Sequence, residues 1–280
     1  MTGLSYPADQ VRRYDHDRFV TAIFATASMR EHLFALYAFN IEIAKTGEVV
    51  SEPLIGQIRL QWWRDTLDRL YAGEKVAHAV AQPLGEAISA TGLDRADFDS
   101  LIDAREFDLD RATPQNFVAL SSYAEGTGAA LVRMALRISA VSSNATSDEI
   151  ARLVGTGWAL TGLLRAVPFH ARQRRLYLPV DMLEMAGVRA SRLFDMTPEP
   201  GLREVVKDIA DHASGLFDKV RDLSRSLPKA GRSPVLLASL GRLYLSDLMV
   251  SHWDPFVLEA KPPRRFAAAR LALNLALNRL

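Results

Sequence analysis

The residues best suited to chemistry are basic side chains at the end of a long apolar stretch. They occur between positions 165 and 175 and comprise Arg165, His170, Arg172, Arg174 and Arg175. Guanidinium groups bind phosphates and carboxylates through paired, charge-assisted hydrogen bonds. A pocket lined by this group would bind an anion, such as a diphosphate, a lipid headgroup or an acidic segment of a partner. The alternative is a solvated basic helix end, since cations are mildly stabilising near a helix C-terminus.

An acidic run lies earlier in the chain, between Asp103 and Asp110. Because Asp103 and Glu106 are three residues apart, a helix would place both carboxylates on one face. Oxygen ligands of this kind bind Mg²⁺, so the pair is a candidate metal site. Pairing with Arg105 and Arg111 on a solvated helix face is the simpler interpretation.

Two absences limit the metal and redox chemistry. The chain has no cysteine, which excludes disulfides, thiolate zinc sites and cysteine nucleophiles. Its six histidines show no His-x-x-x-His ligand spacing. A hydrogen-bonded structural role is therefore the preferred interpretation of His170.

Helical periodicity dominates the elements that must position these residues. The predicted helices span residues 30–48, 53–71, 95–111, 114–140, 147–171, 201–226, 234–247 and 264–279. Ser51 is a candidate N-cap for the second of them, with Pro53 in its first turn. The best strand candidate, residues 177–180, is disfavoured by Pro179. The expected fold is all-α, with a single domain over residues 1–280.

Two further patterns concern packing. The adjacent Trp62 and Trp63 cannot share one helix face, so one is expected in the core. The other could line a tunnel or a partner surface, although core packing of both is the default interpretation. Glycines near positions 126–128 and 155–162 follow no strand, so they do not indicate a phosphate-binding loop. They are interpreted as points where helices approach closely.

Bulk composition and charge narrow the classes of partner. The 280 residues are 49% hydrophobic and carry a formal net charge of +1, so no global field favours nucleic acid. No apolar stretch reaches the roughly 20 residues of a membrane span, and the N-terminus lacks the apolar region of a signal peptide. We expect a cytoplasmic protein. Peripheral contact with a membrane stays possible through the predicted helix 264–279.

Three stretches of the sequence resemble squalene and phytoene synthases. They are LYAFN at 36–40 with its continuation to Glu48, YAEGTG at 123–128, and GLLRA at 162–166 followed by RRLYLP at 174–179. The resemblance implies an isoprenoid-synthase-type helical bundle around a central cavity. It also implies a reaction that joins two prenyl diphosphates with magnesium ions held by two aspartate-rich motifs.

The resemblance places these motifs on residues that bind magnesium poorly. The first motif falls on Ala44, Lys45 and Glu48, and the second on Ala166 and His170. Alanine binds no metal, and an imidazole nitrogen suits softer metals than magnesium. We therefore expect no cofactor and identify no catalytic residue. Three neighbouring positions where the family usually carries polar or cationic groups are also apolar: Ile41, Ala159 and Gly162.

The remaining candidates are residues that could contact an anionic ligand. They are Tyr37, Asn40, Arg165, His170, Arg172, Arg174 and Arg175.

A second, narrower resemblance is to the phytoene-synthase-like assembly factors of respiratory complex I and their bacterial relatives. It rests on AFNxE at 38–42, SExxIG at 51–56, RxQxW at 59–63 and LRAxPxH at 164–170. This resemblance implies a non-catalytic role in building an NADH–quinone oxidoreductase at the inner membrane. The partners would be complex I subunits or assembly intermediates, with a prenyl or phospholipid ligand as a further possibility.

An enzymatic alternative stays open. The chain would then condense farnesyl or geranylgeranyl diphosphate, as squalene and phytoene synthases do in isoprenoid biosynthesis. Magnesium would be the cofactor, with Glu48, Asp103 or Glu106 as its ligands.

Overall fold

The computed structural model describes residues 3–50 and 52–259, and every regular element within them is helical. The all-α prediction is therefore confirmed. None of the helices in these ranges is long and apolar enough to cross a membrane. The α-helices are α1 (Tyr6–Tyr14), α2 (His16–Ile23), α3 (Ala27–Ala44), α4 (Thr46–Val49), α5 (Pro53–Tyr71), α6 (Ala81–Thr91), α7 (Arg95–Glu106), α8 (Phe117–Ile138), α9 (Ala145–Arg165), α10 (Val167–Arg172), α11 (Val180–Met185), α12 (Ala190–Phe194), α13 (Leu202–Leu223), α14 (Arg232–Val250) and α15 (Pro255–Glu259).

Several predicted boundaries shift for local reasons. Only α5 has the predicted limits. The predicted helix 30–48 is divided at Lys45 into α3 and α4. The predicted helix 147–171 ends at Arg165 and resumes as α10, because Pro168 has no N–H to donate and its ring clashes with the preceding turn. Ser51 and the predicted helix 264–279 lie outside the described residues.

Helix starts are set by side-chain caps that the sequence only partly indicated. α9 begins after Asn144, whose side chain accepts from the backbone N–H groups of Thr146 and Ser147, while Ser147 accepts from Asn144. This is a reciprocal capping box. Residues 177–180 form no strand, because Pro179 lies at the N-cap of α11.

Two hydrophobic clusters share α8. One contains Val132 and Leu136 of α8 with α9, α13 and α14. The other contains Leu131 and Ala135 of α8 with α1, α2, α3, α5, α6 and α7. Since neighbouring residues of α8 contribute to different clusters, this helix joins the two halves of the fold.

Glycines allow the central helices to touch through their backbones. A Cβ atom on Gly128 of α8 would overlap the backbone of Gly155 on α9, and the reverse also holds. Gly157 of α9 and Gly241 of α14 both lie against the ring of Phe217. The prediction of close helix approach is confirmed at Gly128, Gly155 and Gly157, whereas Gly162 has no atom within 4 Å of where a Cβ would lie.

The two adjacent tryptophans have different environments, so the default interpretation of core packing for both is wrong. Trp63 is 3% exposed and packs edge-on against Phe39, with ring centroids 5.0 Å apart. Trp62 is 42% exposed and shares the outer face of α5 with the exposed Leu54 and Ile58.

The backbone contact between α8 and α9 leads to a stability prediction. Gly155→Ala should lower the free energy of unfolding by about 2 kcal/mol, because the added methyl group must push two backbones apart. Urea denaturation would measure this change.

The matched control lies on the same helix. Gly162→Ala should raise the free energy of unfolding by about 0.5–1 kcal/mol, since its methyl group meets open space and alanine favours the helix. Equal effects of the two variants would contradict the close approach at Gly155.

Candidate functional site

The first motif position lies where α3 passes into α4. Ala44 ends α3, and the ammonium group of Lys45 lies over the ring of Tyr14. Burial lowers the pKa of Lys45, and the nearby carboxylates of Glu42 and Glu48 oppose that shift. Glu48 is exposed on α4, yet partial desolvation raises its pKa against the attraction of Arg105 and Arg175. The motif therefore has an ammonium and one carboxylate.

The second motif position lies where α9 passes into α10. Ala166 follows the last residue of α9, and His170 lies on α10 with its ring centroid 4.6 Å from that of Tyr177. Burial lowers the pKa of His170 to about 4, because desolvation penalises the imidazolium form. His170 is consequently neutral near pH 7 and contributes no positive charge.

These five positions do not fit magnesium. Magnesium requires an octahedral shell of oxygen ligands, usually with carboxylates among them. Positions 44, 45, 48, 166 and 170 supply one carboxylate, one ammonium and one imidazole. Among the described residues, no group of three or more His, Asp or Glu side chains could hold a metal ion.

A buried carboxylate that the sequence interpretation missed lies beside both motifs. Asp108, in the turn after α7, is 4% exposed. It accepts hydrogen bonds from the hydroxyls of Tyr123 at 2.8 Å and Tyr177 at 2.7 Å, and from Arg105 at 3.2 Å. Its place in the acidic run between Asp103 and Asp110 gave no local signal of burial.

The main chain of Asp108 connects this carboxylate to both motif segments. Its carbonyl oxygen accepts from the buried Arg175, which also donates to Tyr177 at 3.4 Å. On the other side, a Cβ on Gly47 of α4 would lie 2.9 Å from the Cβ of Asp108. We call these residues the Asp108 cluster: Arg105, Asp108, Tyr123, Arg175 and Tyr177. The cluster lies against α4, and two of its members, Arg175 and Tyr177, belong to the segment that follows α10.

Asp103 and Glu106 occupy a different surface. Both carboxylates are exposed and pair with Arg64 of α5, at 2.6 and 2.8 Å. The predicted pairing with Arg105 and Arg111 is wrong, because Arg105 turns inwards to Asp108 and Arg64 approaches from another helix. Glu48 does not join them as a third ligand.

The structure does not bring the five basic residues of 165–175 into one group. Arg165 lies 3.7 Å from Asp17 and stacks at 3.5 Å over the ring of Tyr244, whose hydroxyl donates to Asp17. Arg172 is exposed and makes a two-pronged pair with Glu259 of α15. Arg174 is exposed, with a positive φ of 53°.

Tyr37 and Asn40 are both buried on α3. Tyr37 is 1% exposed, and burial raises its pKa above the usual value. Asn40 is 5% exposed, and its carbonyl oxygen has no hydrogen-bond partner in the described part of the chain. Near Tyr37 lies Arg18, which the sequence interpretation missed: it is buried, pairs with Asp15 at 2.6 Å and lies 5.7 Å from the Tyr37 ring.

Comparison with known proteins shows which sequences this chain resembles. Residues 11–271 match the family model described as squalene/phytoene synthase. The chain is 31% identical over 251 residues to the NADH dehydrogenase (ubiquinone) complex I assembly factor 6 of Bos taurus, covering 90% of this chain and 75% of that protein. It is 26% identical over 254 residues to the presqualene diphosphate synthase of Rhodopseudomonas palustris, covering 88% and 87%.

Two solved structures have the same fold. The squalene synthase HpnC from Alicyclobacillus acidocaldarius superposes with a TM-score of 0.78 at 21% identity, covering 89% of this chain and 94% of that one. A dehydrosqualene synthase in complex with ligand superposes with a TM-score of 0.84 at 16% identity, covering 98% and 95%. At these identities the likeness concerns the fold alone, and it confirms the isoprenoid-synthase architecture.

The Asp108 cluster predicts that a nearly isosteric substitution of its carboxylate strongly lowers the free energy of unfolding. Asp108→Asn should lower the free energy of unfolding by about 3 kcal/mol, because it leaves Arg105 buried without its carboxylate. Asp103→Asn, in an exposed pair on the preceding helix, should change it by less than about 0.5 kcal/mol. If urea denaturation gave both variants the same decrease in the free energy of unfolding, Asp108 would be solvated rather than buried.

The buried, neutral His170 predicts a pH dependence of stability. Its folded-state pKa of about 4 lies below the usual histidine value, so the unfolded chain binds more protons as pH falls through this window. The wild type should therefore lose about 1–2 kcal/mol more than His170→Gln between pH 7 and pH 5. Equal pH profiles of the two proteins would contradict the burial of His170, and His16→Gln, at an exposed site, is the control.

Proposed function

The chain belongs to the squalene/phytoene synthase family, and from that premise we propose that it is a non-catalytic member that acts in the assembly of respiratory complex I. Its partners would be complex I subunits or assembly intermediates. We place it at the inner membrane as a peripheral protein.

The observation that carries the assembly role is the likeness to the named assembly factors. The identity of 31% to the Bos taurus protein extends over 90% of this chain, and the Homo sapiens protein is 29% identical over 80% of it. The match to the family model, over residues 11–271, includes both motif regions and the turn that carries Asp108.

The chemistry of the site supports the absence of catalysis. Ionising an allylic diphosphate requires positive charge at the leaving group, which metal ions supply in metal-dependent enzymes. Here Ala44 and Ala166 provide no ligand, and Lys45 introduces a cation beside the remaining carboxylate at Glu48. The motif positions, within the part of the chain that the structure describes, offer no set of oxygen ligands for a metal-dependent departure of diphosphate.

Prenyl transfer is the second candidate, and two observations favour it. Glu48 retains a carboxylate at the first motif, and the presqualene diphosphate synthase of Rhodopseudomonas palustris is 26% identical over most of both chains. In this alternative the protein would act on farnesyl or geranylgeranyl diphosphate with magnesium.

A gene deletion separates the two candidates. Loss of the protein should lower the amount of assembled NADH dehydrogenase on native gels and the NADH–quinone oxidoreductase activity of membranes, with squalene and carotenoid levels unchanged. A Glu48→Ala copy should restore assembly as fully as the wild-type copy, because the proposal gives this carboxylate no catalytic role.

Two outcomes would contradict the assembly role. Normal complex I in the deletion strain would overturn the assembly role. A C30 or C40 product formed by the purified protein from a prenyl diphosphate and magnesium, and lost in Glu48→Ala, would establish prenyl transfer instead.

A further inference from the structure

We propose that the outer face of the first half of α5 is a docking surface for a second copy of this chain, which packs against it antiparallel about a two-fold axis. The proposal goes beyond the proposed function and does not depend on it. It follows from an exposed apolar row that is flanked by unpaired charges of opposite sign.

Large apolar side chains form a continuous row along this part of α5. Leu54, Ile58 and Trp62 follow one another at intervals of four residues, which places them on one face of the helix. Leu54 is 63% exposed and Ile58 is 61% exposed, and Ile55 beside them is exposed as well. Single exposed apolar residues are ordinary on a protein surface, whereas a contiguous row of them marks an interaction site.

Trp62 is an ordered anchor at one end of the row. Its ring packs edge-on against Trp63 and His78, with centroids 5.0 and 5.1 Å away. A side chain that its neighbours already hold in place loses little conformational freedom on binding. Tryptophan is also among the residues that dominate the energetics of interfaces.

Two exposed charged residues flank the row, and neither has an ion-pair partner among the residues that the structure describes. Glu52 is the N-cap residue of α5, and Arg59 lies about two helical turns further on. The second half of α5 differs, because Asp68 pairs there with Arg95 and Arg69 pairs with Glu74. The unpaired charges are thus confined to the part of the helix that carries the apolar row.

The row and its flanking charges are self-complementary. If a second α5 packs antiparallel, with the two-fold axis level with Gly56, Leu54 of each copy faces Ile58 of the other. Glu52 and Arg59 also lie at nearly equal distances from Gly56 along the helix, so each Glu52 lies close to the Arg59 of the other copy. Such a reciprocal exchange of contacts is the defining property of an interface with C2 symmetry.

The charges favour a second copy over a membrane as the occupant of this face. An anionic membrane surface attracts basic residues, so it would attract Arg59 and repel Glu52. A second copy covers the apolar row and pairs both charges at the same time. The formal net charge of +1 also means that two copies repel each other only weakly.

The size of the contact predicts a weak dimer. α5 has 19 residues, which gives a length of about 28 Å. A contact along part of one such helix buries less than the roughly 800 Å² per partner of a typical stable complex. We therefore expect a dissociation constant in the micromolar range.

Sedimentation equilibrium of the full-length protein, from about 1 to about 200 µM, tests the proposal. The wild type should change from monomer to dimer across this range. Ile58→Glu should raise the dissociation constant at least about tenfold, because it desolvates a carboxylate within the apolar contact. The control is Val118→Glu, a matched change at an exposed position of α8, which should leave the dissociation constant unchanged.

A charge exchange tests the pairing between the copies. Arg59→Glu and Glu52→Arg each bring like charges together, so each variant should form its own dimer several-fold more weakly. When the two variants are mixed in equal amounts, a heterodimer of wild-type affinity should form, because every acid then faces an arginine. Arg221→Glu, at an exposed position of α13, is the control for a change of net charge.

Four outcomes would overturn the proposal. They are a monomer throughout the concentration range, a dimer that Ile58→Glu leaves unchanged, a mixture of the charge variants that associates no more tightly than each variant alone, and a wild-type monomer that binds vesicles of phosphatidylcholine and phosphatidylglycerol through Ile58. The last result would assign this face of α5 to a membrane.

Discussion

The contact between the backbones of α8 and α9 at Gly128 and Gly155 is the constraint on which the other helices depend. Side chains between the two helices would hold them apart, and small residues allow the 8–10 Å spacing of closely packed axes. α8 contributes to both hydrophobic clusters, while the second motif begins where α9 ends. The position of that motif relative to the first is thus set by glycines that take no part in any chemistry.

The Asp108 cluster has a similar role at the ends of the helices. Desolvating a carboxylate and two arginines costs several kcal/mol per ion, and a dense set of hydrogen bonds must offset that cost. Tyr123, Tyr177 and Arg105 supply these bonds to Asp108, and Arg175 bonds to its main chain. The result is a rigid connection between the turn after α7, the segment after α10 and α4.

A consistent physical picture relates this architecture to the proposed role. The fold matches that of the solved squalene and dehydrosqualene synthases, whereas the motif positions supply one carboxylate, Glu48, where magnesium needs several oxygen ligands. Each of these residues weakens the capacity of the site to bind magnesium. The alanines supply no ligand, Lys45 adds a cation, and His170 supplies a neutral imidazole because it is buried. Such a site suits binding without bond cleavage, which agrees with a factor that stabilises partners.

The sequence by itself determined the all-α class, the limits of α5, the family and the residues at both motifs, because periodicity, proline positions and residue identity are local properties. Tertiary structure alone decided the partners of the charges. Arg64 reaches Asp103 from another helix, and Asp17 neutralises Arg165 from a position 148 residues earlier in the chain. In the sequence Asp108 resembles the neighbouring surface acids. The structure shows that it is buried against Tyr177, which is 69 residues away in the chain. Electrostatic interactions depend on distance in space, so sequence identified the ionisable groups but only the packed helices determined which of them remain free to bind a ligand.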